Sequence, residues 1–252
     1  MASVKPKKHL GQHFLKDENI ALKIVGALKN ETNLPVLEIG PGTGVLTKYL
    51  IEKENQKFYA LDVDTESIEY LKNTYPAHAE QFLFQDYLKY DVSLDRFNII
   101  GNFPYNISSQ LFFKIWDDRD KVDEVVCMIQ KEVADRICEK EGSKTYGILS
   151  VLLQAFYEIE YLFKVPPGVF NPPPKVQSAV IRLKRNNVTQ LSCDEKLFKR
   201  VVKAGFGKRR KTLRNALKDL NLPESVTSLE VMNQRAEQLS VQEFISLTEK
   251  IA

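Results

Sequence analysis

The sequence lacks the features that mark disulfide-rich secreted proteins and membrane-spanning proteins. Its 252 residues include only three cysteines, and Cys127, Cys138 and Cys193 are too scattered to form a disulfide framework or a zinc site. No run approaches the roughly 18 apolar residues that a membrane-spanning helix needs. No apolar segment follows the lysines near the N-terminus, as it would in a secretory signal. We therefore expect a cytoplasmic protein with no membrane partner and no bound metal.

Acidic residues are absent from two stretches of a chain whose net charge is only +3. The first stretch precedes Asp17. The second is residues 203–218, whose basic residues are Lys203, Lys208, Arg209, Arg210, Lys211, Arg214 and Lys218. Unbalanced positive charge suits a polyanionic partner, although a charged run is also typical of an ordinary solvated face. The candidates for contacts to RNA phosphates are Lys208, Arg209, Arg210, Lys211 and Arg214.

Short apolar segments alternate with amphipathic helical segments along most of the chain. The first five predicted strands are residues 36–39, 58–61, 82–84, 97–100 and 124–129. This alternation predicts a parallel, doubly wound α/β sheet. Two further strands, at 158–165 and 176–184, are joined by a proline-rich loop, and we predict that they are antiparallel and close one edge of the sheet.

The pattern becomes entirely helical after the polar segment Arg185-Asn186-Asn187. The Gly205-Phe206-Gly207 segment predicts a break between two helices. Ser240 followed by Glu243 predicts a capping box at the start of a final helix. We place the domain boundary near residue 186, which divides the chain into an α/β domain with a basic N-terminal arm (1–185) and a small helical domain (186–252).

A glycine loop, Glu38-Ile39-Gly40-Pro41-Gly42-Thr43-Gly44, follows the first predicted strand. Glycine lets the backbone turn sharply and approach a ligand, and the helix that follows offers free N–H groups. The loop alone is equally consistent with a tight turn. Asp62 and Asp86 follow the next two strands, however, and carboxyl ends of parallel strands share one crevice. There, carboxylates can accept hydrogen bonds from ribose hydroxyls and an adenine amino group, so we predict a nucleoside-bearing cofactor.

The Asn102-Phe103-Pro104-Tyr105 motif follows the fourth predicted strand and suits methyl transfer to a planar amine. The N6 of adenine is a poor nucleophile because its lone pair is delocalised into the ring. Hydrogen bonds accepted by the Asn102 side-chain oxygen and by a carbonyl near Phe103 would favour a pyramidal nitrogen, so that catalysis rests on positioning and electrostatics. Pro104 fixes the backbone, and Tyr105 offers a face for an extruded base. The alternative is a simple proline turn with Tyr105 in the core.

Four segments together form a specific pattern: Lys8-His9-Leu10-Gly11-Gln12-His13-Phe14-Leu15, Glu38 to Gly44, Asn102 to Ser108, and Val165-Pro166-Pro167-Gly168-Val169-Phe170-Asn171-Pro172-Pro173-Pro174-Lys175-Val176. They resemble corresponding segments of the small-subunit ribosomal RNA adenine dimethyltransferases, the kasugamycin-resistance methyltransferase family, along nearly the whole chain. The departures are His13, Asp62 and Phe103, which stand where many members have Asn, Glu and Leu.

This resemblance implies a Rossmann-like S-adenosylmethionine-dependent methyltransferase sheet with a small all-helical C-terminal domain. The implied cofactor is S-adenosyl-L-methionine, and the implied cofactor-binding residues are His13, Leu15, Gly40, Gly42, Asp62, Asp86 and Asn102. The implied catalytic residues are Asn102, Phe103, Pro104, Tyr105 and Phe170, with Phe170 stacking on the target base opposite Tyr105. The implied reaction is in-line dimethylation of N6 on two adjacent adenines in a hairpin loop near the 3′ end of small-subunit (16S) rRNA, late in subunit assembly.

Three alternatives stay open at this point. A macrolide-resistance enzyme would methylate large-subunit rRNA, and an assembly factor would bind RNA with incidental activity. A nicotinamide dehydrogenase is disfavoured because the glycine spacing is not G-x-G-x-x-G. The expected partner is small-subunit rRNA within a pre-30S particle, and we expect a monomer.

Overall fold

A computed structural model describes residues 4–208 and 210–252 and confirms the predicted α/β fold. Its strands are β1 (Phe14–Leu15), β2 (Val36–Ile39), β3 (Phe58–Asp62), β4 (Phe82–Phe84), β5 (Phe97–Asn102), β6 (Val122–Gln130), β7 (Tyr157–Val165), β8 (Phe170–Asn171) and β9 (Ser178–Arg185). Its α-helices are α1 (Glu18–Ala27), α2 (Thr47–Leu50), α3 (Thr65–Thr74), α4 (Ser108–Asp117), α5 (Lys131–Cys138), α6 (Ile148–Gln154), α7 (Glu195–Gly207), α8 (Leu213–Ala216), α9 (Glu224–Thr227) and α10 (Val241–Ile251).

The main sheet has the strand order β4-β3-β2-β5-β6-β9-β7. Strands β2 to β6 pair in parallel, and β9 runs antiparallel to β6, with Gln130 opposite Ser178. The chain passes from β2 to β3 and β4 on one side and to β5 and β6 on the other. The order therefore reverses between β2 and β5, and an open α/β sheet binds its ligands outside the carboxyl ends of the strands at such a point.

Burial explains which segments form central strands. All four residues of β2 are buried, and so are the first five residues of β5, because parallel strands are covered by helices on both faces. The edge strand β7 has several exposed and half-buried positions instead. Helix starts are capped by side chains: Asp17 accepts from the Ile20 N–H, and Ser240 forms the predicted capping box with Glu243.

A small second sheet joins the N-terminal arm to the proline-rich loop, and this contact was not predicted. Strands β1 and β8 pair antiparallel, with Leu15 opposite Phe170. The Lys16 N–H also donates to the Val169 carbonyl at 2.8 Å. The arm is therefore attached by backbone hydrogen bonds to the loop that precedes β9.

The chain packs as two compact units. One contains the chain up to Ala134 together with Ile159–Arg185, and the other contains Asp135–Glu158 together with Asn186–Ala252. The predicted boundary near residue 186 is one of the points where the chain passes between them. The sequence pattern placed residues 135–158 in the α/β domain, whereas the structure places them in the second unit, where α6 packs against α7 and α10.

Helix α7 runs through the segment where we predicted a break. Gly205 is buried, and a Cβ at this position would lie 3.3 Å from Leu213 Cδ2 and 3.4 Å from Ala236 Cβ. The glycine therefore permits close packing within the second unit rather than ending the helix. In the described residues, no helix is both long enough and apolar enough to cross a bilayer.

Candidate active site

A cavity lies at the carboxyl ends of β2, β3 and β5, at the reversal of strand order. The predicted residues that line it are His13, Gly40, Gly42, Asp62, Asp86, Asn102, Phe103, Pro104 and Tyr105. The structure thus brings together the N-terminal arm, the glycine loop, both acids and the Asn-Phe-Pro-Tyr motif, all within the first unit.

The glycine loop has a backbone that other residues adopt only with strain. The φ angles of Gly40, Gly42 and Gly44 are 70°, 54° and 81°, all in the left-handed region. A Cβ at position 42 would also lie 2.8 Å from Cε1 of the Phe14 ring. The loop therefore needs glycine both for its turn and for its close contact with the N-terminal arm.

Glu38 fixes the strand end that precedes the loop. Its carboxyl group is buried, and the Thr47 hydroxyl donates to its Oε2 at 2.7 Å. Burial raises the pKa of Glu38 to about 8, although the hydrogen bond from Thr47 opposes the shift. Since Glu38 does not line the cavity, we assign it to holding β2 against α2.

Asp62 places a carboxylate in the cavity wall. Its two oxygens accept from the Gly42 N–H at 3.3 Å and from the Asp64 N–H at 2.9 Å. A carboxylate has about four acceptor sites, so it retains capacity for a ligand. Burial raises the pKa of Asp62 to about 6, with the backbone hydrogen bonds opposing the shift. Asp86 is half-buried on the same wall and accepts from the Leu88 N–H at 3.0 Å.

Asn102 has one satisfied and one unsatisfied polar group. Its Nδ2 donates to the His13 carbonyl at 2.8 Å, whereas its Oδ1 is buried and has no donor among the described residues. The bond to His13 fixes the amide orientation, so the oxygen is the free end. A buried acceptor without a partner costs about 1–3 kcal/mol, and a ligand with an N–H group would remove that cost.

Tyr105 is held on two sides. Its hydroxyl forms a short hydrogen bond with the Ser178 hydroxyl, and its ring stacks on His13 with 5.2 Å between ring centroids. His13 Nδ1 in turn donates to the Pro172 carbonyl at 2.7 Å. Burial raises the pKa of Tyr105, so its hydroxyl stays protonated. The ring is therefore a rigid aromatic element of the cavity.

Three predicted residues differ in how they contribute. Phe103 lines the cavity but packs its buried ring against Phe112, and its N–H donates to the Met128 carbonyl at 3.0 Å, so it acts through its backbone. Leu15 and Phe170 do not line the cavity. They are only 3% and 1% exposed because the pairing of β1 with β8 buries both side chains in the core. Phe170 is buried in the core and the His13 ring stacks on Tyr105, so the stacking of Phe170 on the target base stays a prediction.

The N-terminal arm contributes more of the cavity than we predicted. Leu10, Gly11 and Gln12 also line it. Lys7 and Gln12 donate to the Asp64 carboxylate at 2.5 and 3.1 Å, which attaches the arm next to Asp62. The signal available in the sequence was Gly11, whose φ of 66° requires glycine.

Other lining residues that the sequence did not single out are Val63, Leu88, Asn106 and Ile107. They follow the strand ends or the Asn-Phe-Pro-Tyr motif directly and carry no distinctive pattern of their own. Within the described residues, no three His, Cys, Asp or Glu side chains lie close enough together to hold a metal ion.

The basic segment of the second unit is exposed. Lys208 forms a salt bridge with Asp219 at 2.9 Å, and Arg214 donates to Asn233 Oδ1 at 3.1 Å. Arg210 and Lys211 are exposed, and Arg209 lies outside the described residues. The sequence showed no acid inside this segment, but folding brings Asp219 to Lys208.

The cavity fits S-adenosylmethionine by the chemistry of its donor and acceptor groups. The left-handed glycine loop admits a ligand close to its backbone, and Asp62 and Asp86 offer acceptors for hydroxyl and amino groups. The unpartnered Asn102 oxygen offers a further acceptor. These are groups that a nucleoside and a reacting amine can satisfy.

Comparisons with known proteins agree with this chemistry. Residues 3–252 match the family model described as ribosomal RNA adenine dimethylase. The chain is 57% identical to a Ribosomal RNA small subunit methyltransferase A of Cytophaga hutchinsonii, over 100% of this chain and 99% of the relative. A protein of the same name from Flavobacterium johnsoniae is 55% identical, with 100% and 97% covered.

Solved structures share the fold. A dimethyladenosine transferase from Plasmodium falciparum has a TM-score of 0.77 at 26% identity, covering 93% of this chain and 96% of that one. The 23S rRNA methyltransferase ErmE has a TM-score of 0.70 at 22% identity, covering 93% and 99%. The match to the family model over nearly the whole chain and the relatives above half identity lead to one conclusion. The chain belongs to the ribosomal RNA adenine dimethylase family and is an S-adenosylmethionine-dependent methyltransferase.

Proposed function

We propose that this enzyme transfers two methyl groups to N6 of each of two adjacent adenines in a hairpin loop near the 3′ end of small-subunit rRNA. The name and full-length similarity of the two bacterial relatives support the small-subunit target. The single observation that carries the chemistry is the buried Asn102 Oδ1, an acceptor with no donor among the described residues, in the cavity where the strand order reverses.

Asn102 and Phe103 would hold the target amine. The Phe103 carbonyl, like Asn102 Oδ1, has no hydrogen-bond donor in the described part of the chain. Two acceptors that receive hydrogen bonds from the N–H groups of adenine N6 favour a pyramidal nitrogen. The nitrogen lone pair then points away from the two acceptors. The residues thus contribute positioning and electrostatics, with direct in-line transfer and no covalent enzyme intermediate.

Other residues that line the same cavity have the proposed cofactor-binding roles. When bound, S-adenosylmethionine supplies an electrophilic methyl group on sulfur. Asp62 would accept from the ribose hydroxyls and Asp86 from the adenine amino group, while Gly40 and Gly42 let the backbone approach the ligand. The N-terminal arm lines the same cavity, and its His13 carbonyl accepts a hydrogen bond from Asn102 Nδ2.

Tyr105 would receive the flipped base. Stacking on an aromatic ring stabilises an extruded base by about 1–3 kcal/mol. The Ser178 hydroxyl and the His13 ring fix the tyrosine before the base arrives. Its orientation therefore needs no reordering during the reaction.

The partner is rRNA within a pre-30S particle late in assembly, bound by a monomer in the cytoplasm. The exposed Arg210 and Lys211 of the second unit support phosphate contacts, with Lys208 and Arg214 as further candidates. Arg209 belongs to the same proposed surface by sequence.

One experiment separates this function from the large-subunit alternative, which the shared fold with ErmE brings into consideration. Purified enzyme and labelled S-adenosylmethionine are incubated with unmethylated small subunits and, in parallel, with free large-subunit rRNA. We expect label only in the small subunits, on two adjacent dimethyladenines mapped by mass spectrometry. Label confined to large-subunit rRNA would refute the small-subunit target. No label on either RNA would refute the enzymatic proposal and favour an assembly factor.

A further inference from the structure

A second concave surface of the first unit is lined by basic and apolar residues. It is a groove between α1, β7 and β9, lined by Ile20, Lys23, Gly26, Ala27, Lys29, Leu162, Phe163, Lys164 and Arg182. We call it the α1–β7 groove. Among the described residues that line it, none is acidic. From this geometry we infer that the α1–β7 groove binds the phosphate backbone of the rRNA substrate, an inference that rests on the proposed function.

The lysines of the groove are available to an external anion. Lys23, Lys29 and Lys164 are all exposed, and their ammonium groups form no salt bridge in the described part of the chain. Other basic residues of the same unit are already paired: Lys184 contacts Glu31 at 2.7 Å and Lys48 contacts Glu18 at 2.6 Å. Three unpaired ammonium groups around one groove match the charge of successive phosphates.

Arg182 forms the wall rather than a mobile contact. Its Nη2 bonds both oxygens of Glu160 at 2.7 and 2.8 Å, and its Nη1 donates to the Ala27 carbonyl at 3.4 Å. Its Nε is buried and has no acceptor among the described residues. A guanidinium held in this way keeps β9 and α1 at a fixed separation and leaves one N–H unsatisfied.

Gly26 indicates that the groove is kept open. It lies in the last turn of α1, is exposed, and a Cβ there would meet nothing within 4 Å. Packing therefore does not require glycine, although glycine destabilises a helix by about 0.5–1 kcal/mol relative to alanine. An open helix backbone lets a bulky ligand approach, which gives the glycine a reason that the fold alone does not supply.

The elements that form the groove are continuous in sequence with segments that contact the catalytic cavity. Strand β7 continues from Lys164 into the proline-rich loop, whose Pro172 carbonyl accepts from His13 in the cavity wall. Helix α1 follows directly after the arm that contains His13. Both sides of the groove are therefore continuous with elements that contact the catalytic cavity, as a surface for RNA flanking the target adenines should be.

The test compares two triple variants of equal charge. K23Q/K29Q/K164Q removes the groove lysines, and K57Q/K72Q/K140Q removes three exposed lysines elsewhere. Binding of each to unmethylated small subunits, and to naked small-subunit rRNA, is measured across a salt series, together with cofactor affinity and Tm. We expect the groove variant to bind both RNAs at least about tenfold more weakly. The slope of log affinity against log salt concentration should become less steep by about 2–3, since each lost phosphate contact reduces the slope by about 0.7–0.9.

The control variant should stay within about twofold of wild type, as should the cofactor affinity and Tm of both variants. G26Q offers a second test without charge change. A long side chain in the groove should weaken RNA binding while Tm does not fall, because glutamine is the better helix former.

Groove and control variants that bind RNA equally well would overturn the inference. A loss on intact particles with none on naked rRNA would also overturn it, because the groove would then contact a ribosomal protein. If the wild-type enzyme neither binds nor methylates small subunits, both the proposed function and the inference about the groove fail. If the wild type is active and the groove variant binds RNA as well as the control variant, only the inference about the groove fails.

Discussion

The catalytic cavity and the basic segment of the second unit differ in how their functional residues are held: those of the cavity have fixed partners, and the described ones of the segment are exposed to solvent. In the cavity, Asp62 is buried, Asn102 is hydrogen-bonded to His13 and Tyr105 is held by Ser178. In the segment around residues 208–214, the described basic side chains are exposed, and Lys208 is paired with Asp219. A buried side chain is held in one geometry, and no neighbouring residue can make its hydrogen bonds instead. An exposed charge is screened by solvent and salt, and neighbouring charges contribute to the same attraction. Single substitutions should therefore have large effects in the cavity and small ones in the segment.

The largest expected effect is that of Asn102→Ala. Losing one positioned hydrogen-bonding group in an active site costs about 100- to 1000-fold in turnover, and no other described side chain supplies the same acceptor. Single-turnover methyl transfer to small subunits measures the loss, with Asn73→Ala on α3 as control. Binding to small subunits should be unchanged. Turnover within threefold of wild type would remove Asn102 from the reaction.

Tyr105→Ala should lower turnover by about 10- to 100-fold, because stacking contributes about 1–3 kcal/mol. Cofactor affinity should change far less, since the ring is assigned to the base. Tyr105→Phe keeps the ring, loses only the bond to Ser178, and should retain most activity. Equal losses of turnover and cofactor affinity in the alanine variant would show that the tyrosine serves the cofactor instead.

Asp62→Asn should weaken cofactor binding by about tenfold, because hydrogen bonds to a charged acceptor contribute about 1.5–3 kcal/mol. Asp95→Asn, at an exposed position, is the control. Isothermal titration at pH 7.5 measures both variants. An Asp62→Asn protein with wild-type affinity would contradict the assigned ribose contact.

The same residue predicts opposite pH dependences for binding and stability. Folding raises the pKa of Asp62 from 3.8 to about 6. The neutral form is thus favoured in the fold, and its stabilising contribution is present below pH 3.8 and is lost as pH rises through 6. The ribose contact needs the carboxylate, so cofactor affinity should instead fall as pH falls below 6. Asp62→Asn should remove both the pH dependence of stability and the pH dependence of cofactor affinity that Asp62 causes. An Asp62→Asn variant whose cofactor affinity varies with pH as in the wild type would be evidence against this account.

The smallest effects should come from the basic segment. Lys208→Gln should weaken RNA binding less than Arg210→Gln or Lys211→Gln, because Lys208 is already paired with Asp219. Each change should be about tenfold or less at physiological salt and should shrink as salt is raised. Filter binding at two salt concentrations measures this order. A Lys208 variant with the largest loss would show that the salt bridge opens when RNA binds.

The predicted sheet was recovered almost entirely because its signals are local. Val36–Ile39 is a continuous apolar run followed by glycines, and the structure gives β2 the same bounds. The alternation of segments also predicted the parallel strands and the antiparallel β9, whereas the strand order was seen only in the structure. The break predicted at Gly205-Phe206-Gly207 lies just after these residues, between the end of α7 at Gly207 and the start of α8 at Leu213. Gly205 stays helical because it serves close packing, and the sequence does not show which neighbour will be packed against it.

The structure brings together the predicted site residues that the ends of the parallel strands position, while their roles stay predictions. Gly40, Asp62 and Asn102 all line the cavity because each ends or follows a parallel strand. Leu15 and Phe170 do not line the cavity, because both are buried through a pairing between segments far apart in the chain. No local pattern indicates a two-residue strand pair of this kind.

The sequence by itself determined the strand-helix alternation, the glycine loop, the acids at the strand ends and the Asn-Phe-Pro-Tyr motif, since each depends on neighbouring residues and their backbone preferences. The tertiary structure alone decided that the His13 ring stacks on Tyr105, that Asp219 pairs with Lys208, and that lysines without a salt bridge among the described residues surround the α1–β7 groove. Those outcomes depend on contacts between distant segments, and contacts at long sequence separation are set by the packing of the whole fold.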